Sequence, residues 1–327
     1  MKMMLSLWIG FTLRAIGADV QWVSVGDPGN PPDPSGAGAV GYPYRIGKCE
    51  VTVEQYVEFL NAVAADDPHA LWNPKMGLVE YRITEPVFAG RVPPRMPGCI
   101  RRLGERGSYR YECAEGWEKK PVVYVSFLDA MRFANWMHNG KGAGGTESGA
   151  YDIVRHGGLA AHERNAKVWV ATEDEWVKAA YFQPPHHGGP EGGYWLYPTR
   201  SNGMPRLGEP GAPGENLANF FNLRLPRSQF TDYTRIYPVG SFSHSESYYG
   251  TLDQGGNVSE WNEALVYETQ RRIRGGSVGD TFELMQRVTR ISSAPDKEYP
   301  DTGFRLAAPA ESPADGSSVS FQNPTDR

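Results

Sequence analysis

Cysteine is scarce in this sequence, with three in 327 residues, and none follows Cys113. No thiol nucleophile or soft thiolate metal site can therefore be drawn from the chain beyond that point. Basic charge is also short, at 33 Lys and Arg against 38 Asp and Glu, for a net charge of -5. With no polybasic run, the electrostatic footprint of a nucleic-acid binder or a membrane-surface anchor is missing. Past the first thirteen residues, no apolar stretch approaches the ~20 residues that a transmembrane helix needs. The nucleophile elbow, the phosphate loop and the dinucleotide fingerprint are absent as well. Gly275-Gly276-Ser277 lacks the lysine of a phosphate loop. His186-His187 sits between Pro-Pro and Gly-Gly without a partner at metal-ligand spacing.

What the chain has in quantity is punctuation and rings: 38 Gly, 26 Pro, 9 Trp and 17 Tyr. Gly and Pro set turns, while Trp and Tyr bury large rings with one polar end. The balance predicts a loop-rich α+β domain rather than a helical bundle. Lys2, an apolar run from Met3 to Leu13, and Ala15-Ile16-Gly17-Ala18 form the pattern of a signal peptide over residues 1–18, implying export. Arg14 is atypical there, and a buried N-terminal element is the competing reading. An exported chain with three cysteines allows one internal disulfide. Cys99 and Cys113 flank a charged, aromatic segment that reads as a hairpin and are the pair to expect, with two free thiols as the alternative. Cys49 reads as a buried free thiol.

One domain is expected over 19–308, followed by a polar, aperiodic tail at 309–327 expected to be disordered. Strands are predicted at 20–25, 42–46, 122–125 and 168–170, with further short ones at 236–240, 271–275, 286–291 and 303–307. Three helices are predicted to start at caps: Thr52 with Gln55, Ser126 with Asp129, and Thr172 with Glu175. The run Asp253-Gln254-Gly255-Gly256-Asn257-Val258-Ser259-Glu260-Trp261 alternates side-chain oxygens with freely turning backbone, as a hard cation such as calcium requires. A turn in which Asp253 and Asn257 satisfy their own backbone fits the same residues.

Taken in order, several segments resemble one family. They are Tyr44–Thr52, Pro121–Ser126 with Phe133-Ala134-Asn135-Trp136, and Ala171–Trp176. Then come Pro238–Phe242, Asp253–Trp261, Arg274-Gly275-Gly276-Ser277, Arg290 and Gly303–Ala307. Together they are similar to the sulfatase-modifying-factor family, whose founding member is the formylglycine-generating enzyme. The resemblance spans almost all of residues 20–308 and implies a C-type-lectin-like α+β fold with short strands, few helices and much ordered loop.

It also implies two calcium sites. One would use Asn219, the Phe220 carbonyl, Asp232 and the Thr234 carbonyl. The other would use Asp253, the Gly256 and Val258 carbonyls, and Glu260. The family's oxidation chemistry needs two cysteines after the Gly-Gly-Ser turn, holding copper(I) as thiolates. Here Asp280 takes the first place and Phe282 or Met285 the second, so no copper is expected. The iron-dependent branch of the family draws its histidines from a separate helical domain for which this chain has no room. Ser259 stands where a tryptophan usually precedes the Glu-Trp pair.

These features predict an exported, calcium-stabilised binding module for a peptide, glycan or surface ligand, without oxidase activity. The alternative is a family enzyme acting on a protein or small molecule. It would be a formylglycine-generating or iron oxidase, or one built around Asp280, Glu283, Arg287 and Arg290.

Overall fold

A computed structural model describes residues 19–77, 98–221 and 233–311. The expected leader at 1–18, most of the expected tail, and Asp232 lie outside the described residues. Two four-stranded sheets organise the molecule. The first takes β1 (Trp22–Val25), β2 (Tyr44–Gly47), β12 (Leu306–Pro309) and β5 (Trp169–Val170), in that order. The second takes β10 (Ile291–Ser293), β9 (Gln270–Arg274), β8 (Ser259–Val266) and β11 (Thr302–Phe304). A hairpin of β3 (Ile100–Leu103) and β4 (Arg110–Cys113) and a short parallel pair, β6 (Arg206–Leu207) and β7 (Leu217–Ala218), complete the strands.

All three expected helix caps form as capping boxes. Thr52 starts α1 (Val53–Val63), Ser126 starts α2 (Phe127–His138), and Thr172 starts α4 (Glu173–Tyr181). Each hydroxyl accepts an orphan N–H, and the acid or amide three residues on returns to the cap nitrogen. The single turn α3 (Ile153–His156) lies between them. The faces of α1 and α2 meet through rings, with Phe59 5.4 Å from both Phe133 and Trp136. Phe304 of β11 packs on Phe133 at 5.5 Å, so the helices cover the start of the second sheet.

Five expectations are corrected, one being the strand expected at 286–291, where 286–290 are turn and loop and only Ile291 is extended, as the first residue of β10. Residues 122–125 are not a strand, because Tyr124 takes a left-handed φ of 57° that breaks extension. Residues 236–240 are loop, since side chains capture their donors: Asn257 Oδ1 accepts Tyr237 N–H at 2.9 Å and Asp253 Oδ2 accepts Gly240 N–H at 2.6 Å. The expected strand at 303–307 is divided at Arg305 between β11 and β12, which lie in different sheets. Cys99 and Cys113 are free thiols rather than a disulfide. Ile100, not Cys99, stands opposite Cys113 in the hairpin, and burial pushes the Cys99 thiol up to about 12. The longest strand, β8, was hidden. Its residues Ser259 to Glu263 are all buried, so no inside–outside alternation marks them.

Candidate functional site

The turn Gly275-Gly276-Ser277 follows β9 directly and delivers Ser277 to the interior, where it is fully buried. Gly276 has a φ of 67°, and a Cβ there would lie 3.0 Å from Leu284. Glycine is therefore needed to bring the chain round. Asp280 folds back onto this turn: its Oδ2 accepts the Ser277 N–H at 2.9 Å and the Ser277 hydroxyl at 2.8 Å. The same hydroxyl lies 2.7 Å from Asp301 Oδ2, just before β11. One hydroxyl has one hydrogen, so satisfying both contacts requires a proton on the acid pair. Burial raises both carboxyls, and with the charge of Asp280 adding to burial, that of Asp301 reaches about 6. Tyr233 and Asp301 close over Gly279. The Asp280 carbonyl accepts the Phe221 N–H at 2.7 Å, tying this turn to the segment that holds Asn219 and Phe220.

Beside it lies an oxygen-rich centre. Asn219 is buried and its Oδ1 has no partner among the described residues, while its Nδ2 reaches the Arg235 carbonyl at 2.8 Å and Asn257 Oδ1 at 3.3 Å. Phe220 is buried in a small cluster with Tyr197, Ala218 and Met285. The Thr234 carbonyl accepts Lys120 Nζ at 3.4 Å. Asp253 and Asn257 both adopt positive φ, 61° and 60°, which curls the loop on itself. Gly256 is required inside that curl, since a Cβ there would strike the Asn219 carbonyl. Glu260, on β8 two residues beyond the buried Val258, is fully buried. Arg305 binds it through two contacts of 2.6 Å, and Trp176 Nε1 adds a third bond at 2.7 Å.

Glu50, which the sequence reading passed over, joins this centre. Its Oε1 meets Asn257 Nδ2 at 3.3 Å, and its Oε2 is buried without a partner among the described residues. Burial, then the charge of Asp253, pushes the Glu50 carboxyl well above the usual carboxylate range. Asp253 is raised to about 6, chiefly by burial. A cavity of about 650 Å³ opens beside Glu50, lined by Lys48, Cys49, Glu54, Lys119, Pro238 and Leu252 among others.

Comparison with known families settles what scaffold carries these centres. Residues 25–310 match the family described as sulfatase-modifying factor enzyme 1-like domain. The chain belongs to the sulfatase-modifying-factor family. Its fold is accordingly the α+β, loop-rich fold of the formylglycine-generating-enzyme type. Among solved structures, CarF is similar at 19% identity and a TM-score of 0.52, covering 90% of this chain and 99% of its own. Treponema denticola variable protein 1 gives 17% identity and a TM-score of 0.46, over 88% of this chain and 95% of its own. PvdO from Pseudomonas aeruginosa gives 17% and 0.44, over 89% and 92%. No curated protein matches the sequence. Among the described residues, no helix is long and apolar enough to cross a membrane.

Within this family scaffold, the four cleft residues read from sequence do not converge. Asp280 is tied to Ser277. Glu283 is exposed at the start of a short helical turn that also contains Phe282 and ends at the buried Met285, whose carbonyl accepts the Tyr181 hydroxyl at 3.0 Å. The Arg287 guanidinium has no hydrogen-bond partner among the described residues, and its Nε is buried. Arg290 turns to Ser35 and Glu173 instead. Asp301 and Glu50, both missed, stand where the expected residues point. They are 21 and 203 positions from Asp280 and Asp253 respectively, so no local spacing could have revealed them.

Proposed function

We propose that this chain is an exported binding domain, stabilised by calcium, that keeps the family scaffold without its copper-dependent oxidation. The observation that carries this reading is Asp280. It occupies the third position after the Gly-Gly-Ser turn, and Ser277 and Asp301 hold it in a network of hard oxygens. Copper(I) prefers thiolate and thioether ligands. With no cysteine after Cys113, the soft ligand nearby among the described residues is Met285, which is fully buried.

Two orphaned oxygens support the calcium assignment. Asn219 Oδ1 at one expected site and Glu50 Oε2 beside the other are buried without hydrogen bonds among the described residues. Unpaired buried acceptors are costly, and a hard cation with six to eight oxygen ligands satisfies them. Asn219, with the Phe220 and Thr234 carbonyls and Asp232, would hold one ion. Asp253, Glu260 and the Gly256 and Val258 carbonyls would hold the second, with Glu50 alongside. The ion supplies charge compensation and ties loops together. The chain's own residues do the rest: Arg305 neutralises Glu260, and Asn257 bridges Asn219 to Glu50.

The cavity beside Glu50 is of small-ligand size and supports the binding role. The residues at the start of the sequence support export. Metal analysis of the purified protein tests the reading: calcium without copper or iron, and a melting temperature lowered by chelation, are expected. A stoichiometric redox metal, or indifference to chelation, would contradict it.

A further inference from the structure

Three guanidinium groups gather on one carboxylate oxygen at the start of α4. Glu173 Oε1 lies 2.5 Å from Arg274 Nη2 and 3.5 Å from both Arg272 Nε and Arg290 Nε. Arg274 is fully satisfied, since it also donates to the carbonyls of Arg287 and Thr289 at 2.7 and 2.8 Å. Arg290 donates to the Ser35 carbonyl and hydroxyl at 3.0 and 2.7 Å. Arg272 is different. It makes no hydrogen bond to a described residue, and its buried Nε has only the 3.5 Å ion pair to Glu173. Burial lowers its affinity for its proton, and Arg274 and Arg290 lower it further against the opposing pull of Glu173. Asp174, next in the chain, already accepts the Gly38 N–H at 2.8 Å, and Asp33 holds the Ser35 hydroxyl that Arg290 meets. Three guanidinium groups therefore share the single carboxylate of Glu173.

A second observation comes from the neighbouring strand. Asn262 of β8 stands directly opposite Arg272 of β9. Cross-strand partners share one face, with Cβ atoms about 4.5–5.5 Å apart. Asn262 is fully buried, and neither its Oδ1 nor its Nδ2 has a partner among the described residues. A buried amide with both ends unpaired, beside an arginine lacking an acceptor, calls for a missing group. Water would serve the amide but would not offset the charge.

We propose that this cluster is an oxyanion site that takes a phosphate or sulfate group, free or at the end of an ester, between Arg272 and Arg290 over the Asn262 amide. The donors arise side by side from β8, β9 and the segment before β10, three neighbours in one sheet. A tetrahedral anion offers oxygens to all of them, whereas the two oxygens of a carboxylate lie in one plane. The guanidinium fork is suited to this contact. Side-chain exposures of 16% for Arg272 and 29% for Arg290 leave a path from solvent. The site is independent of the copper and calcium readings.

The test is calorimetric titration with inorganic phosphate and inorganic sulfate, against sodium chloride at matched ionic strength. Saturable binding absent with chloride is expected. Each of Arg272→Ala and Arg290→Ala should weaken it about tenfold or more, the loss of one charge-assisted contact, and Arg272→Lys should weaken it less. Asn262→Leu should also weaken the anion while leaving the anion-free melting temperature unchanged or higher, because it replaces an unpaired buried amide. That pattern separates binding from a structural role. Tighter binding of an aryl phosphate or aryl sulfate than of the inorganic ion identifies an ester as the source, and equal binding identifies the free ion. Both results support the site. Responses matched by chloride, or titrations unchanged in the variants, would overturn it.

Discussion

At the scale of single residues, unpaired groups and shared protons make the sharpest predictions. If Glu50 Oε2 and Asn219 Oδ1 face calcium, Glu50→Gln and Asn219→Ala should each shrink the rise in melting temperature that calcium produces. Calorimetric scans with and without chelator measure this, and an unchanged rise would remove the residue from the site. His162 gives a pH prediction. Its ring stacks on Trp169 at 4.6 Å, and its Nδ1 lies 2.9 Å from both oxygens of Glu263, which Tyr151 also holds at 2.7 Å. Burial alone would lower the His162 pKa, but the bond to Glu263 and its charge outweigh this and raise it. The folded state then holds the proton more tightly than the unfolded chain. Its contribution is complete below the unfolded value of about 6.5 and is lost as pH rises through the higher folded value. Melting temperature against pH should show that loss in the native protein and not in His162→Gln. The sequence disclosed Asp280 and Asn219 through the family pattern. It concealed Glu50, Asp301 and Glu263, because their partners are set by tertiary contact rather than by spacing.

At the scale of elements, caps were legible and strands only in part: β1, β2, β5 and β9 lie where the pattern put them, while others do not. Each cap is a local contract between a hydroxyl and an acid or amide three residues on, so Thr52, Ser126 and Thr172 could be read directly. Removing one, as in Thr172→Ala, should cost about 1 kcal/mol by denaturant titration. A loss of much less would mean that packing alone holds α4. The misplaced or missed strands have two physical reasons. Tyr124 and its neighbours have the β-branched composition of a strand, but a left-handed φ at Tyr124 ends extension. β8 has buried residues on both faces, and its Asp-Gln-Gly-Gly-Asn prelude reads as a turn. Gly303 marks where the irregular 122 segment presses on β11, since a Cβ there would lie 2.6 Å from the Val122 carbonyl oxygen. Gly303→Ala should therefore destabilise the fold more than the cap variant does, because backbone rather than a flexible side chain blocks the methyl group.

At the scale of the whole molecule, Arg305 joins the two sheets. It lies at the break between β11 and β12, fully buried, and it binds Glu260 of β8 and the carbonyls of Gly47, Lys48 and Leu252. Arg305→Met would leave Glu260 buried without its counter-charge, a loss of about 3–5 kcal/mol. Glu260→Gln strands the Arg305 charge in turn and sets an amide NH2 against a donor, because both Glu260 oxygens accept, so it should cost a comparable amount; small losses in both variants would show that packing rather than charge dominates. The same centre places the oxygen-rich loop, the Gly-Gly-Ser turn and Asp301 against one another. This scaffold is the family's, and the proposal is that the chemistry set into it has changed, with Asp280 and Phe282 or Met285 where the resemblance places the two cysteines. One measurement tests that claim directly. The purified protein, loaded with copper(I) under oxygen, is incubated with a cysteine-containing sulfatase-type peptide and the product is read by mass spectrometry. The account predicts that no formylglycine forms at any copper concentration. Conversion of that cysteine to formylglycine, dependent on this protein and on copper, would contradict it.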